Sequence, residues 1–256
     1  MRYEVLGPMR LINDDRVLRV NAKKIGVLLI VLLSNANRVV SIDQIISEIW
    51  GDRIPQQALA GVYVYISQIR KIIAQANGSP DRVHTRPPGY LLQLDGDEVD
   101  AHSFLSLAAQ GRAQSRNQQY ELAAQTLHRA LGYWRGPLGW GTDCGSNVEA
   151  FATLLTETHL EATELLIDAQ LQLGYHRELV GRMQSLVAEH PLRETFYRQL
   201  MLALYRSDRR AEALGAYQAA RRILLDELGL EPCRSLQRLQ REILAADERV
   251  LDGYGA

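Results

Sequence analysis

The chain has 256 residues, 46% of them hydrophobic and 23% charged, with a formal net charge of −1. That length is enough for two modest domains, each with a core of its own. The longest apolar run, Ile25 to Leu33, is too short to cross a bilayer, no signal peptide opens the chain, and Cys144 and Cys233 form no CxxC pair; membrane spans, a disulfide framework and a zinc site are excluded, and a cytoplasmic location is expected. The charge is unevenly spread: residues 1–95 hold 12 Lys and Arg against 8 Asp and Glu, whereas residues 96–256 hold 17 against 22. A basic front joined to an acidic back is the asymmetry of a chain in which only the first part touches phosphate.

In chain order, the first twenty residues alternate apolar and polar on either side of Asn13-Asp14-Asp15, a turn cluster, which predicts short antiparallel strands. Ala22 to Ala36 is apolar at helical spacing and opens on Lys23-Lys24. Cations are unfavourable at a helix start; a DNA phosphate nearby would repair that, and a loop position just ahead of the helix is the alternative. Ser41-Ile-Asp-Gln44 is a capping-box start for a second helix ending near Trp50-Gly51.

After a loop to Pro55, a third helix is predicted over Ala58 to Ile73, with Val62, Ile66, Ile69 and Ile73 forming one narrow apolar stripe. The opposite face carries Gln57, Ala60, Val64, Ser67 and Lys71, flanked by Tyr65, Gln68 and Arg70. Small and amide-bearing side chains early and cations late suit a helix lying in a major groove among phosphates. On this reading Val64 meets a thymine methyl, Gln57, Ser67 and Gln68 reach base edges, and Tyr65, Arg70 and Lys71 join Lys23 and Lys24 as phosphate contacts.

Asn77 to Asp81 reads as a turn, and Val83 to Leu94 as a hairpin bent by Pro87-Pro88-Gly89. Arg86 at the bend either enters the adjacent minor groove or is an ordinary surface arginine. Sheet, three helices and hairpin make a winged helix-turn-helix. The fold class expected for the whole is mainly α with a small β portion, the winged helix over residues 1–95 and an α-helical array resembling tetratricopeptide repeats over 96–256.

From about Asp100 the pattern is helical. Glu178-Leu179-Val180 and Glu212-Ala213-Leu214 lie 34 residues apart, a register also kept by Gly174/Asp208 and Met183/Tyr217, and that period belongs to tetratricopeptide repeats. Glu121 to Leu131 is an earlier partial copy out of phase, separated by the glycine-rich stretch Gly136 to Gly145. Trp134 is expected to pack and Arg135 to hold carbonyls at a helix end. The run Gly139 to Gly145 has GxGxxxG spacing with no strand before it, so it fails the conditions of a dinucleotide loop. No catalytic site, metal site or cofactor is predicted: the histidines never pair at ligand spacing, and Walker, GxSxG and HExxH patterns are absent. Arg206 to Arg210 and Arg221-Arg222 read as solvated or interhelical pairs.

The winged helix, then YWRGPL (Tyr133 to Leu138), then HPLRE, LMLALYR, EAL and ELGLEP between His190 and Pro232 resemble, over about residues 1 to 250, the Streptomyces antibiotic regulatory proteins (SARPs). The first half is similar to their OmpR/PhoB-type DNA-binding domain through Trp50-Gly51, the YxSxxRK pattern of the third helix and PPGYLL; the second half is similar to their bacterial transcriptional activation domain (BTAD). The resemblance implies a sequence-specific activator of a secondary-metabolite gene cluster. It implies double-stranded promoter DNA with direct repeats as ligand, tandem neighbouring protomers, and RNA polymerase holoenzyme as partner. The loop Trp50 to Pro55 corresponds to the family's polymerase-facing segment, which makes Asp52 and Arg53 its contacts. Gly61, Tyr63 and Gln68 stand where family members commonly carry Thr, Gln and Arg, so the operator is expected to depart from the usual one. Gly61 either lets the backbone approach DNA closely or reflects relaxed selection. The rival from another class is an adaptor whose winged helix docks a protein; an enzyme has no constellation to support it.

Overall fold

The computed structural model describes residues 1–14, 16–76, 79–139 and 144–245; Asp15, the Asn77-Gly78 part of the predicted turn and residues 140–143 of the glycine-rich run lie outside them. Among the described residues the chain forms two compact units, one of residues 1–109 and 128–161, the other of 110–127 and 162 onward, a division that differs from the boundary at residue 95.

The first unit opens with β1 (Arg2–Glu4), β2 (Arg10–Asn13) and β3 (Arg16–Arg19), antiparallel as their alternation predicts. β7 (Glu98–Val99) adds a parallel partner to β1, so the sheet runs β3-β2-β1-β7. Helix α1 (Lys23–Ser34) is buried from Ile25 through Leu33, apolar all round as a central core helix must be. Ser41 caps α2 (Ile42–Trp50), its hydroxyl accepting from the backbone N of Gln44 at 3.2 Å. Helix α3 (Ala58–Gln75) buries Val62, Ile66, Ile69 and Ile73, the stripe read from spacing. The wing is β5 (Val83–Arg86) paired with β6 (Gly89–Leu92), and β6 also pairs with β4 (Val40–Ser41). Gly89 makes that second pairing possible: a Cβ there would stand 1.8 Å from the Val40 carbonyl oxygen.

Two buried carboxylates tie later segments into this unit. Asp100 opens α4 (Asp100–Arg116) and accepts hydrogen bonds from the backbone N of Val5, Leu6 and Ala101 at 2.8, 3.0 and 2.8 Å. Glu48 of α2 caps α6 (Ser146–Gln172), accepting from Asn147 N and Nδ2 and from Val148 N at 3.3, 2.6 and 3.0 Å. Trp134 packs as expected, stacked on His159 with ring centroids 4.3 Å apart. Arg135 corrects its prediction. Rather than holding helix-end carbonyls, it pairs with Glu4 at 3.2 Å and donates to the Pro8 carbonyl at 3.1 Å, because the turn after the helix carries it to the N-terminal sheet.

In the second unit, α7 (His176–Glu189), α9 (Arg210–Leu228) and α10 (Arg234–Leu244) surround α8 (Glu194–Tyr205), which is buried through almost all of Phe196 to Tyr205. One turn geometry recurs. Gln118, Gly174 and Asp208 all have positive φ (59°, 90° and 64°), each two residues before a helix. Backbone bonds close each preceding helix identically: Gln118 N to Ser115 O and Gln119 N to Gln114 O, then Gly174 to Leu171 and Tyr175 to Gln170, then Asp208 to Tyr205 and Arg209 to Leu204. This is a Schellman closure at three equivalent places. The segment before α5 (Tyr120–Gly132) therefore carries the same helix-pair turn as the 34-residue repeat, although its sequence phase differs. The arginine clusters make interhelical and local pairs as read: Arg210 donates to Leu244 O at 2.8 Å, Arg206 to Leu171 O at 3.3 Å, and Arg209 grips Glu212 through two bonds.

Candidate nucleic-acid interface

The arc of α3 opposite its buried stripe is open: Gln57, Ala60, Tyr63, Val64, Ser67, Gln68 and Lys71 are all exposed. Gln57 stands at the N-cap with no capping bond from its side chain, so its amide is not tied to the helix it precedes. Arg86 is exposed at the end of β5, where it faces Gly89 across the Pro87-Pro88 bend. Helix arc and wing tip thus belong to one locally packed construction, joined by the single arginine of α3.

That arginine, Arg70, is not on the outer face in the role expected of it. Its Nε and Nη2 donate to the Val83 carbonyl at 3.1 and 2.7 Å, and Nη2 also reaches the Thr85 hydroxyl at 3.1 Å. Closed on β5 through Nε and Nη2, the guanidinium holds the wing against the helix. Tyr63 and Tyr90 sit beside it. Burial and the neighbouring Tyr63 raise the Tyr90 phenol above its ordinary range, against the pull of Arg70.

The other flank of α3 is organised by Trp50. Its indole lies 6.0 Å from the ring of Tyr65, and the Lys24 ammonium stands 4.9 Å from its centroid. A Cβ on Gly61 would come within 3.2 Å of Trp50 Cη2 and Cζ2. Gly61 thus has a neighbour inside the protein: a side chain there would crowd the indole of α2, which would have to give by a few tenths of an ångström. Tyr65, expected on a phosphate, is half-buried against that same indole. Lys23 and Lys24 lie in the first turn of α1, not ahead of it, and both are exposed. Asp52 and Arg53 are exposed in the loop between α2 and α3, on the rim of an open cavity of about 700 Å³ that Ser47, Trp50, Gly145 and Glu149 also line.

Sequence reasoning missed Glu48, Asp100 and the Trp50–Gly61 fit. A glycine and two small polar residues, Gly145-Ser146-Asn147, signalled a closely approached helix start, but their partner lies 97 positions away in sequence from Gly145. Gly145 has no room for a Cβ, which would fall 2.5 Å from Glu48 Cα. Among the described residues no group of His, Cys, Asp and Glu could hold a metal ion, and no helix is long and apolar enough to cross a membrane.

Comparison with known proteins adds an independent line. The family described as bacterial transcriptional activator domain matches residues 99–244, and the one described as transcriptional regulatory protein, C terminal, matches residues 14–92. Regulatory protein DnrI of Streptomyces peucetius is 32% identical over 253 residues, covering 96% of this chain and 93% of DnrI. Regulatory protein AfsR of Streptomyces griseus is 36% identical over 251 residues, yet those are 98% of this chain and 25% of AfsR, so the chain spans about a quarter of that relative. Among solved structures, Mycobacterium tuberculosis EmbR in complex with a low-affinity phosphopeptide matches with a TM-score of 0.87 at 31% identity, over 96% of this chain and 65% of that one.

Proposed function

The chain belongs to the SARP family of transcriptional regulators, an OmpR/PhoB-type winged helix followed by a bacterial transcriptional activation domain, and from that premise we propose that it activates a secondary-metabolite gene cluster by reading direct repeats in its promoters. Residues 1–95 are the DNA-reading module and residues 96–256 the activation module. α3 lies in the major groove with Gln57, Val64, Ser67 and Gln68 toward base edges. Lys23, Lys24 and Lys71 take phosphates, and Arg86 on the wing tip enters the minor groove. Arg70 and Tyr65 act indirectly, by holding wing and helix in register.

The observation that carries this reading is the open arc of α3 beside an exposed wing arginine, with the intervening guanidinium closed on Val83. An arc whose amides, small side chains and Lys71 are solvated in water, and whose Tyr63 and Val64 stand open, gains most when it meets base edges and phosphates. Direct repeats imply protomers side by side on one face of DNA, spaced by whole helical turns. Asp52 and Arg53, exposed beyond α2, face RNA polymerase holoenzyme in this arrangement. A cytoplasmic location follows from this reading, and no catalytic role or cofactor is proposed.

Nuclease footprinting of the full chain on the regulatory region beside its own gene, coupled to run-off transcription with holoenzyme, tests the proposal. The expected result is tandem protection at helical-turn spacing and more transcript, with Asp52→Ala/Arg53→Ala losing transcript but keeping protection. Protection nowhere in that region, with transcript unchanged, returns the chain to the adaptor reading.

A further inference from the structure

The operator class can be deduced from what the face of α3 offers and lacks, an inference that rests on the DNA-reading proposal. A bidentate arginine on guanine O6 and N7 is the commonest specific contact in a major groove, and it needs a guanidinium fork that is free. α3 has one arginine, and both Nε and Nη2 of Arg70 converge on the Val83 carbonyl. The fork that would read guanine is closed on the wing.

What remains exposed is of another chemistry. Leu59, Tyr63 and Val64 are 46%, 50% and 52% exposed, and Ala60 is exposed between them. Large apolar side chains left open on a helix that is otherwise well packed gain when they cover another apolar group, and in a major groove the apolar group is the thymine methyl. The amides of Gln57 and Gln68, also exposed, match the acceptor and donor that adenine presents at N7 and N6. Lys71, the remaining cation of the helix, follows Arg70 in the later turns, where the proposed pose has it on a phosphate.

We propose that α3 reads an A·T-rich half-site, with Tyr63 and Val64 covering thymine methyls and Gln57 and Gln68 bonding adenine edges. Tyr63 thereby becomes a specificity-determining residue. The closing of Arg70 on the wing serves specificity as well as stability, since it removes the one side chain in the helix best suited to guanine.

The test enriches a random duplex library with the full-length protein at fixed ionic strength, then remakes the enriched sites with deoxyuridine for thymine, which removes only the methyl. The expected consensus has thymine and adenine at the positions facing α3, and each methyl removed weakens binding about fourfold, the loss that goes with one buried methyl. Val64→Ala and Tyr63→Ala, substitutions at exposed positions, should each abolish the methyl sensitivity of one position with unchanged melting temperature. Gln68→Arg should bring guanine into the consensus. Guanine at the facing positions for the unmodified protein, or an A·T consensus indifferent to methyl removal, overturns this inference while leaving the DNA-reading proposal standing. A library that never enriches, with no salt-sensitive retention of duplex, overturns both.

Discussion

Replacing Glu48 by alanine should destabilise the first unit by about 2–4 kcal/mol. The side chain is 1% exposed, and its two oxygens take three donors at the start of α6: Asn147 N and Nδ2 on Oε1, Val148 N on Oε2. Losing a helix cap costs about 0.5–2 kcal/mol, and a carboxylate at a partly buried helix N-terminus contributes up to about 2 kcal/mol more. Donors left buried without a partner add about 1–3 kcal/mol, while removing a desolvated charge offsets part of the sum. For chains of this size each kcal/mol shifts the melting temperature by about 2–4 °C, so Glu48→Ala should melt roughly 4–16 °C lower. Glu48→Gln keeps the length and one acceptor and should lose about half as much. Thermal unfolding by circular dichroism, with urea titration for the free energies, measures both. A Glu48→Ala variant within about 0.5 kcal/mol of the parent, inside the range of ordinary surface substitutions, would refute the assignment of Glu48 as the cap of α6.

The remaining predictions concern other elements. Lys71→Ala should weaken DNA binding across sequences and reduce the salt slope by about 1, whereas Arg70→Ala should weaken binding with the slope unchanged, because its guanidinium positions the wing; equal slope losses would put Arg70 on a phosphate. Gln118→Gly should stabilise the second unit by about 0.5–1 kcal/mol in urea unfolding, since φ is 59° there and glycine adopts it freely; a destabilised variant would contradict the Schellman closure. His176 is held below the ordinary histidine value of 6.5, by burial first and then by the charge of Arg206, with Glu178 opposing, and its Nδ1 is buried without a partner. A depressed folded value means the unfolded chain binds the proton more readily, so stability present above about pH 6.5 is lost as pH falls through the folded value. Melting curves from pH 7.5 to 5 should show that loss, and His176→Gln should flatten it; an unchanged pH profile would remove His176 as the cause.

How much of this was legible in the sequence depended on distance along the chain. The stripe of α3, the Ser41 cap and the wing hairpin follow from spacings of two to four residues, and the packed helix faces obey them. The 34-residue period likewise exposed the α7 and α9 equivalence, because one copy sits beside the next. What spacing could not carry was any contact chosen by tertiary packing. Gly61 carries no local signal of its neighbour, because the Trp50 indole that a side chain there would crowd belongs to another helix. Arg70 lay on the flank of the exposed arc by helical periodicity, and nothing local announced that the Val83 carbonyl would capture it. β7 is two residues long, too short for alternation to register, yet it completes the first sheet. Gln118 hid the first helix-pair turn because glutamine is an uncommon residue at positive φ, where Gly174 is the usual choice.

The most direct test of the central claim is the dependence of promoter affinity on salt for the full chain. If Lys23, Lys24 and Lys71 neutralise phosphates as proposed, log Kobs should fall linearly with log salt with a slope of roughly −3 per protomer. Affinity for promoter duplex that stays flat as salt rises, or is absent at low salt, would contradict α3 and the wing as a DNA reader.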